Sequence, residues 1–227
     1  MSVNRKLKVV WICHFSNTEI QFRLSIGKPV NEFAPWIPNT IKGFEDKSDV
    51  ELHVIAPHEY LKNYSHFFMR NIHYHFIPIG IPYFHRHWPG FFRYDILTNF
   101  KPFRQYVRFI IEKIKPDIIN LIGAENAYYS SSILDYFREY PCLITIQGFI
   151  SQLKHDIPLN IDVKRKIMIE EKILRTCRNF CGEQDSLTYI SRYNSDINFF
   201  KFYFPINANY ATNIPDLKIK YDCIYFG

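Results

Sequence analysis

Short, almost wholly apolar runs alternate along this chain with longer stretches whose apolar residues recur every three or four positions. The first kind suits strands covered on both faces of a sheet, the second helices with one buried stripe. Leu7–Cys13 (LKVVWIC) reads as a first strand and Val50–Ala56 (VELHVIA) as a second. Ile72–Ile77 (IHYHFI) is a third, and its polar alternation sets it nearer an edge. Asp117–Ile122 (DIINLI), Cys142–Ile146 (CLITI) and a short Asn179–Cys181 follow. Helices are predicted over Glu32–Glu45, Tyr106–Lys115, Asn126–Tyr140, Asp162–Thr176 and Asp185–Tyr193. In the second of these, Val107, Ile110, Ile111 and Ile114 fall at i, i+3, i+4 and i+7, and Pro116 stops the helix. The alternation predicts an α/β fold, a doubly wound, mostly parallel sheet of about six or seven strands. Val10, Ile12, Ile118, Ile119, Leu121, Leu143 and Ile144 are its expected core.

Two segments interrupt the alternation. Pro78–Pro102 mixes Tyr83, Phe84, His85, Arg86, His87, Trp88, Phe91, Phe92 and Arg93 with no helical or strand period. A loop this long inside a compact domain is a functional or a disordered segment. Aromatics interleaved with cations suit a lipid headgroup layer, so a peripheral membrane contact through Pro78–Pro102 is one expectation. Rings folded back onto the core are the other. Pro205–Tyr221 is polar and reads as a linker. Asp222–Gly227 is an apolar strand ending where a βα turn would begin, which suggests truncation. The division expected is a Rossmann-like domain over 1–205, a linker over 206–221 and the first strand of a second domain over 222–227.

Composition narrows the class further. At 227 residues, with 47% hydrophobic and 22% charged, the chain suits an ordinary globular protein. Aromatic residues reach 18%, enough to offer platforms to sugars or simply to fill a core. The net charge of +6 favours anionic partners in general. Lysines and arginines are dispersed and no recognised motif accompanies them, so nucleic acid is not an expected partner. The cysteines (Cys13, Cys142, Cys177, Cys181, Cys223) include no Cys-x-x-Cys pair and read as buried reduced thiols of a cytoplasmic protein. No signal peptide and no spanning run is legible, so the expected place is the cytoplasm, with a peripheral contact to the inner face of the cell membrane.

In an open α/β sheet, ligands bind outside the carboxyl ends of the strands, near the point where the strand order reverses. That rule selects His14, Ser16 and Asn17 after the first strand, and Gly123-Ala124-Glu125-Asn126 after the fourth. It also selects Gln147-Gly148 after the fifth strand and Gly182-Glu183-Gln184 after the sixth. Donors and acceptors beside glycines, at neighbouring strand ends, suit a crevice for a polyol. Each candidate has a plainer reading. Glu125 can accept two sugar hydroxyls or cap the helix near Asn126, and Glu183 can cap the next helix. Gln147 can bond a sugar or the backbone, and Gly148 reads as a backbone necessity. His14 can serve as an acid or base near neutral pH or as polar lining. The dinucleotide, P-loop and nucleophile-elbow motifs are all missing, as is any HExxH. His73-x-His75 and His85-x-His87 could each pinch a metal, but without carboxylate support they read as strand-face and loop residues, and no metal site is expected.

At these same residues the sequence resembles the N-terminal domain of family 4 glycosyltransferases. Ile114–Gly123 (IKPDIINLIG) is similar to their segment of helix end, Lys-Pro-Asp, strand and Gly, and Gly123-Ala124-Glu125 to the Gly-Thr-Glu of some members. Leu143–Gly148 (LITIQG) resembles their apolar strand ending in His-Gly or Gln-Gly. Glu170-Glu171, with Ile173 and Leu174 behind it, looks like their glutamate-bearing helix, and Tyr225-Phe226-Gly227 like the opening strand of their donor domain. Two departures stand out: Gln147 where many members carry His, and Gly182-Glu183-Gln184 where relatives often have Gly-Arg-Thr. The resemblance implies a GT-B enzyme that moves a sugar, with retention, from a nucleotide-sugar to a glycan or lipid-linked acceptor, as in polysaccharide biosynthesis. It implies no essential metal or cofactor. The nucleotide-sugar would lie mainly in a second half, and the acceptor here against Glu125, Gln147, Gly148, His14 and Asn17. Gly123, Asn126, Gly182 and Glu183 would line the cleft. A self-sufficient Rossmann-like module that binds a nucleotide or glycan without catalysis is the alternative.

Overall fold

The computed structural model describes residues 5–15, 17–25, 36–81, 88–89, 91–155 and 158–204. Strand β1 (Leu7–Ile12) is followed by helices α1 (Thr18–Arg23) and α2 (Trp36–Lys42), then strands β2 (Val50–His58), β3 (Ser65–Met69) and β4 (Ile72–Pro78). Helices α3 (Tyr94–Leu97) and α4 (Lys101–Ile114) return the chain to β5 (Ile118–Ile122). Helix α5 (Ala127–Ser130), β6 (Cys142–Thr145), α6 (Ile161–Thr176), β7 (Asn179–Gly182), α7 (Gln184–Ile190) and β8 (Asn198–Lys201) complete it. Among the described residues the eight strands form one sheet in the order β3-β4-β2-β1-β5-β6-β7-β8, and only β3 runs antiparallel to its neighbour. This is the doubly wound α/β sheet the sequence predicts, with eight strands among the described residues rather than the six or seven expected, because the edge strands β3 and β8 lack apolar runs.

Both faces are covered, which explains the unbroken apolar runs. On one face Val10, Ile12, Ile119, Leu121 and Ile144 pack under α4, α5 and α6. On the other, Val9, Trp11, Leu52, Val54 and Tyr74 pack under α1 and α2 through Ile20, Ile37 and Ile41. Helix α4 buries Phe103, Val107, Ile110, Ile111 and Ile114 along one stripe. Each such side chain contributes about 1.5–3 kcal/mol of burial. The helix ends at Lys115, which takes a left-handed φ of 52°, and Pro116 bars continuation. Helix α6 is capped by Asn160, whose side chain accepts from the Val163 N–H at 2.9 Å.

Several expectations need correction. Ile118 and Leu143 are half-buried. Their face of β5–β7 carries a polar strip in which the Thr145 hydroxyl donates to Asn120 Oδ1 at 2.9 Å and lies 3.1 Å from Cys181 Sγ. The helix expected from Tyr106 begins at Lys101, with Pro102 in its first turn where the missing N–H costs nothing. Residues 94–97 are helical too, so the segment Pro78–Pro102 is not one loop. The long helix expected over Asn126–Tyr140 is one α turn and a 3-10 stretch at Ser131–Asp135. Serines there compete for the backbone, the Ser132 hydroxyl donating to the Tyr129 carbonyl. Strand β3 joins β4 through Arg70-Asn71, both at positive φ (49° and 62°), a two-residue turn lacking the usual Asn-Gly signature. Residues 82–87, the 206–221 linker and the 222–227 strand lie outside the described residues, as does Cys223. Cys13, Cys142, Cys177 and Cys181 are buried free thiols, as expected.

The stripe on α4 makes a direct test of this packing. Ile111→Ala should destabilise the chain by about 2–5 kcal/mol, whereas Phe109→Ala, on the exposed face, should change stability by about 0.5 kcal/mol or less. Urea denaturation of both variants checks this, and equal losses would contradict the assigned face.

Candidate functional site

Strand order reverses between β1 and β5. The chain leaves β1 toward β2 and β4 on one side and returns to β5, β6 and β7 on the other. The turns leaving β1, β5 and β6 therefore lie side by side where such a reversal places a crevice, and they carry His14, Gly123–Asn126 and Gln147. Gly123 has a φ of +87°, a backbone state that L side chains rarely adopt. A Cβ built there would stand 2.6 Å from the Gln147 amide, 2.6 Å from Tyr129 Oη and 2.7 Å from Glu125 Oε1. Three polar side chains thus converge on one glycine.

The Gln147 amide satisfies both of its neighbours in only one orientation. Its nitrogen donates to Glu125 Oε1 at 3.1 Å and its oxygen accepts from the Trp36 indole N–H at 3.2 Å. Glu125 keeps some exposed surface as a residue, yet its Oε2 is shielded from solvent and has no hydrogen-bond partner. Burial pushes this carboxyl up to about 7, helped by the negative charge of Glu170. The backbone N–H of Glu125 itself favours the ionised form and works against that rise, as does the Gln147 N–H. Tyr129 is fully buried, and burial and Glu125 together push its phenol well above the ordinary tyrosine value, so it stays a neutral hydroxyl. Trp36 carries the site outward: its ring lies 4.6 Å from Phe204 and 6.0 Å from Phe202, an aromatic wall beside the polar floor.

The loop after β6 is held from below. Glu170 on α6 is wholly buried, and its carboxylate accepts the Ile150 N–H at 2.9 Å, the Ser151 N–H at 2.8 Å and the Ser151 hydroxyl. Burial raises this group as well, opposed by those hydrogen bonds. Ser151 Oγ in turn lies 2.9 Å from Tyr189 Oη on α7.

The expected site residues divide into those the fold gathers and those it uses elsewhere. Glu125, Gln147 and Gly123 come together. Glu125 is not the cap of α5; that position is Asn126, whose side chain accepts from the Tyr128 N–H at 3.2 Å. Asn17 likewise caps α1, accepting from the Ile20 N–H at 2.8 Å. His14 is half-buried beside the crevice and is kept below the ordinary histidine value by burial, against the pull of Glu59. His58 at the end of β2 behaves the same way. Gly148 is not a backbone necessity, because a Cβ there meets nothing within 4 Å. Gly182 is buried, and a Cβ there would stand 3.3 Å from Ser186 Oγ. Glu183 occupies the cap position of α7, exposed and without a capping bond from its side chain. Ser16 lies outside the described residues. Sequence reasoning missed Trp36, Tyr129, Phe202 and Phe204, which belong to helices and a strand exit rather than to βα turns.

The buried carboxyl carries a sign that can be checked on the chain itself. A carboxyl whose folded value is raised favours folding in its neutral form, so its contribution is full below pH 4.5 and is lost as pH climbs through about 7. Glu125→Gln removes that penalty. The variant should melt higher than wild type at pH 8, and the gap should close toward pH 5; a gap independent of pH would refute the assignment.

No family model matches this chain, and no curated protein matches it. Solved structures do. Sucrose-phosphate synthase from Thermosynechococcus elongatus is similar with a TM-score of 0.50 at 10% sequence identity, over 93% of this chain and 53% of that one. Glycyrrhiza uralensis UGT73P12, complexed with glycyrrhetinic acid 3-O-monoglucuronide, matches with a TM-score of 0.45 at 10% identity, over 86% of this chain and 48% of that one. The chain spans about half the length of the structures it matches. At this identity the likeness to the synthase is one of fold: a mostly parallel, Rossmann-like sheet with flanking helices.

Proposed function

We propose that this chain is the acceptor-side half of a retaining, family 4-like glycosyltransferase. It would move a sugar from a nucleotide-sugar to a glycan or lipid-linked acceptor. The observation that carries the reading is the convergence of Glu125, Gln147 and Tyr129 over Gly123 at the strand-order reversal, walled by Trp36. A sugar offers hydroxyls at its rim and C–H groups on its faces. A shielded carboxylate oxygen without a partner suits the first, and a tryptophan–phenylalanine wall suits the second. The fold of sucrose-phosphate synthase supports the same direction.

The roles follow from chemistry. Glu125 accepts hydrogen bonds from acceptor hydroxyls, and Gln147, already fixed between Glu125 and Trp36, sets the position of that carboxylate. His14, neutral at physiological pH, lies at the same crevice and can receive a proton from an attacking hydroxyl. Stabilising the departing nucleotide diphosphate is electrostatic work assigned to a second domain, with no essential metal. Glu183 stands where the family 4 pattern often carries Arg, and an acid there does not suit that work.

The 227-residue chain alone should neither transfer nor hydrolyse nucleotide-sugars. In a protein that carries the donor half, Glu125→Ala should cost about 1.5–3 kcal/mol in kcat/KM for the acceptor and Gln147→Ala about 0.5–1.5 kcal/mol. Turnover by the isolated chain would overturn the two-half scheme. Sugar binding with no turnover in the complete protein would favour a binding module.

A lipid-linked acceptor would bring the protein to a membrane surface. Among the described residues of the Pro78–Pro102 segment, Phe91, Phe92, Tyr94 and Leu97 are exposed, and Trp88 lies 5.3 Å from the Tyr94 ring. No helix among the described residues is long and apolar enough to cross a membrane. We propose that this segment rests on anionic lipid. Wild type should sediment with anionic vesicles at low salt and less so at high salt, and Trp88→Ala with Arg86→Ala should weaken the binding. Failure to sediment at low salt would exclude the contact.

A further inference from the structure

The opposite end of the sheet from the crevice gathers most of the described histidines. Strand alternation puts Glu51 and His53 of β2, His66 of β3 and His73 and His75 of β4 on one face. The register sets His53 beside His73, and His75 beside His66. The imidazoles stack, with centroids 4.4 Å apart for His53–His73 and again for His66–His75. One ligand atom each from Glu51, His53 and His73 lies within 4.8 Å of the others. His53 Nε2 is 2.9 Å from Glu51 Oε1.

We propose that Glu51, His53 and His73 form a binding site for a divalent transition-metal ion of the zinc class. This goes beyond the transfer reaction and does not depend on it, since the site lies near the amino ends of β2 and β4. Two imidazoles and one carboxylate make a donor set for Zn2+, Co2+ or Ni2+, whereas Mg2+ and Ca2+ need oxygen ligands.

The surroundings fit the role. A metal-bound imidazole normally donates its other N–H to a fixed partner. His53 Nδ1 lies 3.0 Å from His75 Nε2, and His75 Nδ1 lies 2.7 Å from Tyr64 Oη. Without a metal, Glu51 can only accept, so His53 carries its proton on Nε2 and His75 donates to His53 Nδ1. Reversing both tautomers frees His53 Nε2 for an ion and turns His75 into its second-layer acceptor, with no proton lost. His73 Nδ1 lies 3.3 Å from His66 Nε2, so that imidazole has a neighbour as well. The facing charges are basic. Lys8 Nζ stands 3.9 Å from Glu51 Oε1, Lys6 acts on His73, and Lys113 on His66 and His75. A dication would replace Lys8 at Glu51, and the Lys8 ammonium, about one-third exposed, keeps its hydrogen bond to the Ile114 carbonyl at 3.3 Å.

The test is a Zn2+ titration of the 227-residue chain at pH 7.5 by calorimetry, with thermal melting alongside. One equivalent should bind and raise Tm. Glu51→Gln and His73→Gln should each weaken binding roughly tenfold or more, if removing a ligand matters at least as much as removing its support. Both side chains are partly exposed, so the variants should fold, which circular dichroism verifies. Lys8→Ala should tighten binding. His85→Gln with His87→Gln should leave it unchanged. Co2+ should give visible d–d absorption without a thiolate charge-transfer band. Lack of Zn2+ binding, binding indifferent to both ligand variants, or a thiolate band pointing to the cysteines would each overturn the proposal.

Discussion

The parallel pairing of β1 with β5, Val9 to Ile12 against Ile118 to Leu121, is the contact on which the rest depends. Roughly a hundred residues separate the two strands, and in that interval the chain builds one whole side of the sheet. Closing so long a loop costs conformational entropy that local contacts cannot offset. The offset comes from burial on both faces: Val10 and Ile12 under α4 on one side, Val9 and Trp11 under α1 and α2 on the other. Asp117 fixes the register at the amino end. Its carboxylate accepts the Lys8 N–H at 2.8 Å, and its own N–H donates to the Lys8 carbonyl at 2.8 Å. Because β1 and β5 are neighbours that lead outward in opposite directions, their exits cannot be covered by one crossover, and a crevice opens there.

The crevice is expensive to maintain, and its expense is electrostatic. Two carboxyl groups, Glu125 and Glu170, are both shielded from water, and burial raises the proton affinity of each, with Glu170 adding to the rise at Glu125 and Glu171 to that at Glu170. They are treated differently. Glu170 is saturated by three donors from Ile150 and Ser151, so it acts as an anchor for the loop after β6. Glu125 has the Gln147 amide and its own backbone N–H as donors, and an Oε2 with none. An unsatisfied shielded oxygen costs about 1–3 kcal/mol. The missing Cβ of Gly123 leaves the room in which Gln147, Tyr129 and Glu125 Oε1 converge.

The sheet was legible because its signal is one of composition over short windows: Leu7–Cys13, Asp117–Ile122 and Cys142–Ile146 carry too few polar residues for any other place. The edges were not. Ser65–Met69 alternates half-buried and exposed residues, and Asn198–Lys201 is mostly exposed, so neither has an apolar run to read. Helix α5 failed for a different reason, since three consecutive serines offer the backbone local alternatives that outweigh helical periodicity. The crevice was half legible. Glu125 and Gln147 follow strand ends, and the strand-end rule finds them. Asn17 and Asn126 follow strand ends too, and there the rule misleads, because an Asn just before a helix is worth about 1 kcal/mol as a cap. Trp36, Phe202 and Phe204 reach the site from elements with no strand-end signature, and only three-dimensional proximity reveals them.

The two ends of this sheet show how one rule of strand geometry yields opposite chemistries. Side chains alternate along each strand, so residues two apart share a face and residues on paired strands stand side by side. At the amino ends of β2 and β4 that arithmetic stacks imidazoles into rows, and the sequence shows it only as His at alternate positions of Ile72–Ile77. A single strand offers two histidines and no carboxylate, which is why the motif looks innocuous in one dimension. The third and fourth members come from β2 and β3, and Glu51 supplies the missing acid through pairing alone. At the carboxyl ends the strands stop and turns take over, so the chemistry depends on Gly123's positive φ and on a tyrosine from the following helix. Strand pairing can be inferred from a sequence once strand order is known, whereas turn geometry depends on particular backbone angles. The histidine rows are therefore a property of topology, and the Glu125 crevice a property of one glycine.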